Sequence, residues 1–294
     1  MRLLERGWLS SNNIVLHEGD QATVVDSGYV KHAAQTVALV GRAAEGRCVT
    51  RLVNTHCHSD HVGGNAALQR AFACTILIPD GEADNVARWD ETALDLAGLG
   101  QRNERFMHDG TLRAGDTLRM GGLDWLALAA PGHDMDSLVY YAPEARLLIS
   151  ADALWEDGFG VLFPEFGGEP GLQTARETLD MIAKLDLETV IPGHGPAFGE
   201  PQRALQRAYD RLEAFALDRG KLVRNALRVM VSFHLMDVGS AELPGIADLL
   251  ERSPFATAAS ELYRLPMPAI AERLVGDLAG AGVLRIAGGR LYSV

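Results

Sequence analysis

The chain has 294 residues, 47% of them hydrophobic and 22% charged, with a formal net charge of −12. That length fits one large domain or a large and a small one, and the composition is that of a globular protein rather than a disordered or fibrous chain. No run is long enough to span a bilayer, and the acidity argues against a polyanionic partner for residues 1–200, which hold 15 Lys and Arg against 29 Asp and Glu (net −14), whereas residues 201–294 hold 12 against 10 (net +2).

The first residues, Met1-Arg2-Leu3-Leu4-Glu5-Arg6-Gly7-Trp8, contain neither an apolar signal core nor a small-residue cleavage site. Cys48, Cys57 and Cys74 are an odd number without Cys-x-x-Cys spacing, which suits a reducing compartment. The expectation is a cytoplasmic protein that does not engage a membrane.

Taken in order, an apolar run at 22–25 leads into Asp26-Ser27-Gly28, and residues 29–42 read as a helix. A second run at 51–55 ends in His56-Cys57-His58-Ser59-Asp60-His61, followed by a helical stretch at 61–72. Runs at 75–78 and 123–130 follow, the latter leading into Pro131-Gly132-His133. The run 145–150 leads to Asp152, and 154–168 interleaves aromatics with glycines as either a substrate-facing loop or a buried connection. A helix at 173–185 precedes the run 189–191, which ends in Pro192-Gly193-His194. Strands alternating with helices predict an α/β architecture. Pro201 marks a boundary between residues 1–200 and 201–294. Beyond it, 203–217, 222–235 and 268–280 read as helices, and 283–286, Gly288-Gly289 and 291–294 as a hairpin, an order similar to a winged-helix-type module.

The chemistry gathers where apolar runs end. Histidines and carboxylates crowded at one loop repel or stay unpaired when buried unless a metal takes their lone pairs. Four segments supply seven candidate ligands, enough for two ions: His56, His58, Asp60, His61, His133, Asp152 and His194. A donor set of imidazoles and carboxylates without thiolate suits Zn²⁺, with Fe and Mn also accepted. Cys57 lies between two of the histidines and reads as a packing residue, and His17, His32, His108 and His234 read as surface or core histidines. Arg203, Arg207 and Arg211, four apart on one helix face, are either a solvated face or an anchor for an anionic tail.

This ordered pattern resembles the metallo-β-lactamase superfamily of metal-dependent hydrolases: His-x-His-x-Asp-His, a His, an Asp that bridges two metals, and a last His. All seven positions are filled. The resemblance implies an αββα sandwich with two divalent ions at one edge, followed here by a small, mostly helical C-terminal domain. His56, His58 and His133 would hold one metal and Asp60, His61 and His194 the other. Asp152 would bridge them, and Asp60 would also orient the nucleophile. Asp26 matches the family's Asp-x-Gly turn, either as an acceptor fixing the tautomer of a ligand histidine or as a turn stabiliser.

Two such ions bring a shared water to a pKa near about 7, a hydroxide source suited to thioesters, whose thiol leaving groups have pKa values near about 8.5. The leading reading is therefore a dinuclear hydrolase acting on a thioester or related activated acyl bond of a small molecule. The ligand set resembles hydroxyacylglutathione hydrolase (glyoxalase II) most, with departures. Glu156 and Asp157 stand where a basic residue helps hold glutathione, Asp134 where a Thr follows the middle His, and Ala151 where a Gly precedes the bridging Asp. A lactonase uses the same seven ligands. An endoribonuclease, which in some members pairs this core with a winged-helix-like tail, is disfavoured by the acidity. A persulfide dioxygenase-type iron oxygenase is disfavoured by the complete second ligand set. The sequence leaves a homodimer open.

Overall fold

In the computed structural model, which describes residues 1–94 and 96–294, the apolar runs form two facing sheets. The first contains, in chain order, Arg2–Leu4 (β1), Asn13–Glu18 (β2), Gln21–Val25 (β3), Cys48–Val53 (β4), Thr75–Pro79 (β5) and Gly110–Leu112 (β6). β1 to β3 are antiparallel, and β3 to β6 pair in parallel. Parallel neighbours need a crossover, and the helices Ala33–Ala43 and Asn65–Phe72 supply the first two. The second sheet contains Thr117–Met120 (β7), Leu123–Ala129 (β8), Leu138–Ala142 (β9), Leu147–Ala151 (β10) and Thr189–Pro192 (β11), in the order β11-β10-β9-β8-β7. β7 to β10 are antiparallel, and β11 joins β10 in parallel after the helix Gly171–Ile182.

Successive side chains of a strand point to opposite faces, and here that alternation sorts apolar residues into separate cores. Ile14, Leu16, Val25, Val53, Trp125, Tyr140 and Ile149 fill the space between the sheets. Val15, Val24 and Leu52 face the other way, against Val40 and Leu68 of the first two crossover helices. On the second sheet Val139, Tyr141 and Leu148 meet Leu179 and Ile182. The result is four layers, the αββα sandwich the sequence pattern implied. β9 and β10 are buried on both faces, which is why successive residues Leu147, Leu148 and Ile149 are all apolar.

Two helices differ from expectation for local reasons. Residues 61–72 form two pieces, Ser59–Val62 and Asn65–Phe72. Between them a Cβ on Gly63 would lie 2.3 Å from the Val30 backbone nitrogen, and one on Gly64 2.4 Å from the Ser27 carbonyl oxygen. Only glycine permits that approach. The stretch 29–42 starts as a 3-10 turn, Val30–His32, before Ala33–Ala43, leaving Tyr29 fully buried and outside the helix.

Pro201 opens the helix Pro201–Leu217 at its first position, where a missing N–H costs little. That helix packs on the second sheet through Ala204, Leu205, Ala208 and Leu212. By packing it belongs with the sandwich, and a separate core begins after Leu217 rather than at residue 201. There the helices Arg219–Val238, Leu243–Arg252, Ala256–Tyr263 and Met267–Gly280 surround Leu227, Val231, Ile246, Leu250, Phe255, Ile270 and Leu274. Ser240–Glu242 (β12), Leu284–Ala287 (β13) and Arg290–Ser293 (β14) close it as a small sheet in the order β12-β14-β13. The C-terminal part is thus mostly helical and ends in a small hairpin. Asp237 ties this part to the sandwich. Its carboxylate accepts from the Tyr29 hydroxyl (3.0 Å) and from Arg102 Nε (3.0 Å), while Lys31 Nζ donates to the carbonyls of Met236 (2.8 Å) and Asp237 (2.6 Å).

Candidate metal centre

The loops that leave β4, β8, β10 and β11 meet at one edge of the sandwich and bring all seven predicted donors together. The donor atoms fall into two groups, His56, His58 and His133 in one and Asp60, His61, Asp152 and His194 in the other, the atoms of each lying within 4.8 Å of one another. Asp152 faces both groups: Oδ2 lies 3.4 Å from His133 Nε2 and Oδ1 lies 3.4 Å from His61 Nε2. His194 Nε2 is 3.0 Å from Asp60 Oδ2, and His58 Nδ1 is 2.7 Å from His133 Nε2.

The surroundings fix which nitrogen each ring presents. The Thr55 hydroxyl donates to Asp26 Oδ2 (2.8 Å) and is then free to accept from His56 Nδ1 (3.1 Å). Asp26 Oδ2 also accepts from His61 Nδ1 at 2.8 Å. His133 Nδ1 donates to the Val161 carbonyl at 2.5 Å. With these Nδ1 atoms occupied, the Nε2 atoms point into the cluster, and those of His56 and His61 are buried without any hydrogen-bond partner among the described residues. A buried nitrogen lone pair with no donor is costly, and two of them beside a carboxylate fit a cation. Asp26 is thus placed as an acceptor that holds His61 in one tautomer. It sits at φ +56, in a turn closing β3, and also accepts from the Thr55 backbone N–H at 3.0 Å.

The charge balance agrees. Burial, reinforced by His61, His58 and His133, pushes the His56 imidazole well below its ordinary pKa, and burial takes His133 down to about 4. Both are neutral, as ligands must be. Burial alone would raise the carboxyl of Asp152, but His194 and His61 hold it well below the usual carboxylate range. For His61, burial acts downward and is outweighed by Asp26, Asp152 and Asp60, which push it well up. The negative side of the cluster demands positive charge.

Several supporting residues carried no signal in the sequence. Asn12 Nδ2 donates to the carbonyls of Pro192 (3.0 Å) and Gly195 (2.7 Å), and its backbone N–H to that of Gly193 (2.7 Å), fixing the His194 loop. The Trp8 ring stacks on His194 with centroids 5.4 Å apart, and Trp155 meets both edge-on. An isolated Asn or Trp far from the ligand motifs gives no pattern to read. Ala151, where the resemblance expects glycine, takes φ +46, so the chain holds a strained conformation next to Asp152. Asp134 Oδ2 lies 3.7 Å from His58 Nε2. Cys57 is buried in the core behind the first sheet, as expected, and His17 reaches the Ala43 carbonyl at 2.7 Å, away from the cluster.

Beside the donors opens a cavity of about 600 Å³. Its walls come from both parts of the chain: Trp8, Trp155, Phe159 and Phe163 from the sandwich, and Met230, Phe233 and Met236 from the helix Arg219–Val238. The segment 154–168 therefore faces the cavity, with Leu154 and Leu162 turned into the core beneath. The predicted arginine face splits apart. Arg203 pairs with Glu200 (2.8 Å), Arg207 with Asp157 (3.1 Å), and Arg211 alone lines the cavity.

Two sheets between helices, with this His and Asp constellation at one edge, define a metal-dependent hydrolase fold. The family model of the metallo-beta-lactamase superfamily matches residues 6–194, and the chain belongs to that superfamily. It is 28% identical over 143 residues to a hydroxyacylglutathione hydrolase of Hyphomonas neptunium, an alignment covering 49% of this chain and 46% of the relative. The chain thus spans about half the length of the curated relatives it matches. Among solved structures, the metallo-beta-lactamase family protein TTHA1429 from Thermus thermophilus superposes with a TM-score of 0.58 at 17% identity, covering 99% of this chain and 97% of that one. TTHA1623, solved in a di-iron-bound form, gives 0.57 at 23% identity over 71% of this chain and 98% of its own.

Proposed function

We propose that the seven donors hold two divalent ions, zinc in both positions, and that the protein hydrolyses a thioester or related activated acyl bond of a small molecule. The observation that carries this reading is the pair of buried Nε2 atoms, of His56 and His61, one in each donor group, that have no hydrogen-bond partner among the described residues. His56, His58 and His133 would hold one ion, Asp60, His61 and His194 the other, with Asp152 offering one oxygen to each. Bound there, the ions supply Lewis acidity and bring a water to a pKa near about 7.

The chain's own residues do the rest. Asp26 and Thr55 lock the ligand tautomers, and Trp8 covers the outer face of His194. Asp60 lies on the cavity wall, and its Oδ1 has no hydrogen bond among the described residues, which leaves it to accept a proton from an attacking water. Apart from the candidate donors and Asp157, which is paired with Arg207, the described cavity residues include no histidine, side-chain carboxylic acid, lysine, tyrosine or cysteine, so no separate side chain is set aside as an acid for a poor leaving group. Thiolates, with a pKa near about 8.5, depart without one. The relatives named hydroxyacylglutathione hydrolase support the thioester class. Glu156 is acidic where the resemblance expects a basic residue, and Asp157 is committed to Arg207, which argues for a thiol other than glutathione. The di-iron form of TTHA1623 makes iron the alternative metal.

The test is a matched series of one acyl group as thioester, oxygen ester and amide. A missing general acid costs about a hundredfold or more, so the thioester should be cleaved at least that much faster. Equal rates would contradict the thioesterase reading and favour a lactonase.

A further inference from the structure

Resting on that reading, we propose that the cavity selects substrates whose far end, beyond an apolar stretch, carries an anion, carboxylate or phosphate, held by Arg211 and Arg228. Both arginines line the same cavity as His58, Asp60, His133, Asp152 and His194. Arg211 projects from the helix Pro201–Leu217 and is half-buried, its guanidinium lying 5.1 Å from the Phe159 ring centroid and 5.4 Å from that of Phe215. Its one hydrogen bond is to a neutral acceptor, Asn225 Oδ1 (3.0 Å), and it forms no ion pair among the described residues. Arg228, on the helix Arg219–Val238, forms neither an ion pair nor a hydrogen bond there.

This is unusual in a chain of net charge −12, where Arg207, Arg219 and Arg224 on the same two helices each have a carboxylate. A guanidinium carries five N–H donors and cannot shed its proton, so enclosing one against aromatic walls without a counter-ion leaves donors for a ligand. The other carboxylates on the cavity wall do not serve. Asp60 and Asp152 belong to the donor cluster, Asp157 is engaged by Arg207, and the Val294 carboxylate, also on this wall, forms no ion pair with either arginine. Much of the remaining wall is apolar, Val161, Phe163, Met230 and Phe233 among it. An extended acyl or thiol chain with a terminal anion suits these three kinds of wall: reactive bond at the donors, methylenes against the apolar residues, charge at the arginines.

The experiment separates this from the hydrolase reading by measuring binding as well as turnover in the metal-loaded, full-length protein. Three carboxylic acids with the same chain but a methyl, a carboxylate or a phosphonate at the other end are titrated, following the fluorescence of Trp8 and Trp155 in the cavity wall. Wild type should bind both doubly anionic probes about tenfold to a hundredfold more tightly than the methyl-ended one, the worth of one charge-assisted contact. Carboxylate and phosphonate arms show which anion fits better. Arg211→Gln and Arg228→Gln should each shrink that preference and leave the methyl-ended probe unchanged, with added salt acting in the same direction. Arg228 is exposed, so its variant keeps the test decisive even if Arg211→Gln loses its fold. Among thioesters, the same preference should appear in KM rather than kcat. A preference that depends on the arginines in a protein inactive on every thioester sinks the thioesterase reading and leaves this inference standing. No preference in wild type, or one that survives both substitutions, overturns it.

Discussion

Glu82 is almost completely buried near the first ligand loop, and burial, with Asp134 adding to it, pushes its carboxyl from 4.5 up to about 8. Between those values the folded chain keeps a proton that the unfolded chain releases. Stability from this group is therefore full below about 4.5 and declines as pH rises toward 8. Glu82→Gln keeps the shape and removes the titration. In metal-free protein, thermal melts at about pH 5 should show little difference, while at about pH 9 the variant should be more stable by on the order of 5 kcal/mol. A gap that does not widen with pH contradicts the assignment. At this scale the candidate donors were legible because seven hydrogen-bonding side chains at the ends of apolar runs have few other uses. Thr55, Asn12 and Trp8 were not, since each acts through a contact made only when distant loops meet. Asp26 was half-legible: its turn was visible, but its 2.8 Å bond to His61 forms only when the loops meet.

Among the elements, the loop Pro192-Gly193-His194 shows how backbone sets the cluster. A Cβ on Gly193 would lie 2.1 Å from Asp152 Oδ1 and 3.0 Å from a carbon of the His61 ring. Neither neighbour has room to retreat, because Asp152 also accepts from Trp155 Nε1 (3.3 Å) and His61 is pinned by Asp26. Gly193→Ala should leave the fold cooperative but push the Asp152 carboxylate out of place, lowering metal affinity about tenfold to a hundredfold, as losing a supporting contact does. Competition with a chelator measures it, and unchanged affinity would show that the loop is softer than it looks. The same loop explains what strand reading could and could not do. Runs at 22–25, 51–55, 123–130 and 145–150 were legible because central strands must be apolar. β1, β6 and β7, of three or four residues and partly exposed, carry too little pattern to stand out. The break at Gly63-Gly64 depends on the loop after β3 passing alongside, a tertiary fact that helical periodicity does not encode.

For the whole molecule, the sandwich builds the donor cluster and the C-terminal part walls the cavity next to it. The proline at 201 was a sound helix start but a poor guide to packing, since the helix it opens lies on the second sheet. The buried Asp237, reached by Tyr29, Arg102 and Lys31, shows that the two parts are fastened by hydrogen bonds and an ion pair rather than loosely linked. The cavity itself was illegible in the sequence because its walls come from positions more than two hundred residues apart, Trp8 at one end and Val294 at the other. The family could be read from the donor order alone, and the model match over residues 6–194 agrees with it. All of this rests on the cluster being a dinuclear centre. Elemental analysis of purified, metal-supplemented protein should find close to two ions per chain, falling to one or fewer in His56→Ala and in Asp152→Ala while circular dichroism stays native. A wild-type chain that saturates at one ion, or variants that both keep two, would contradict the account.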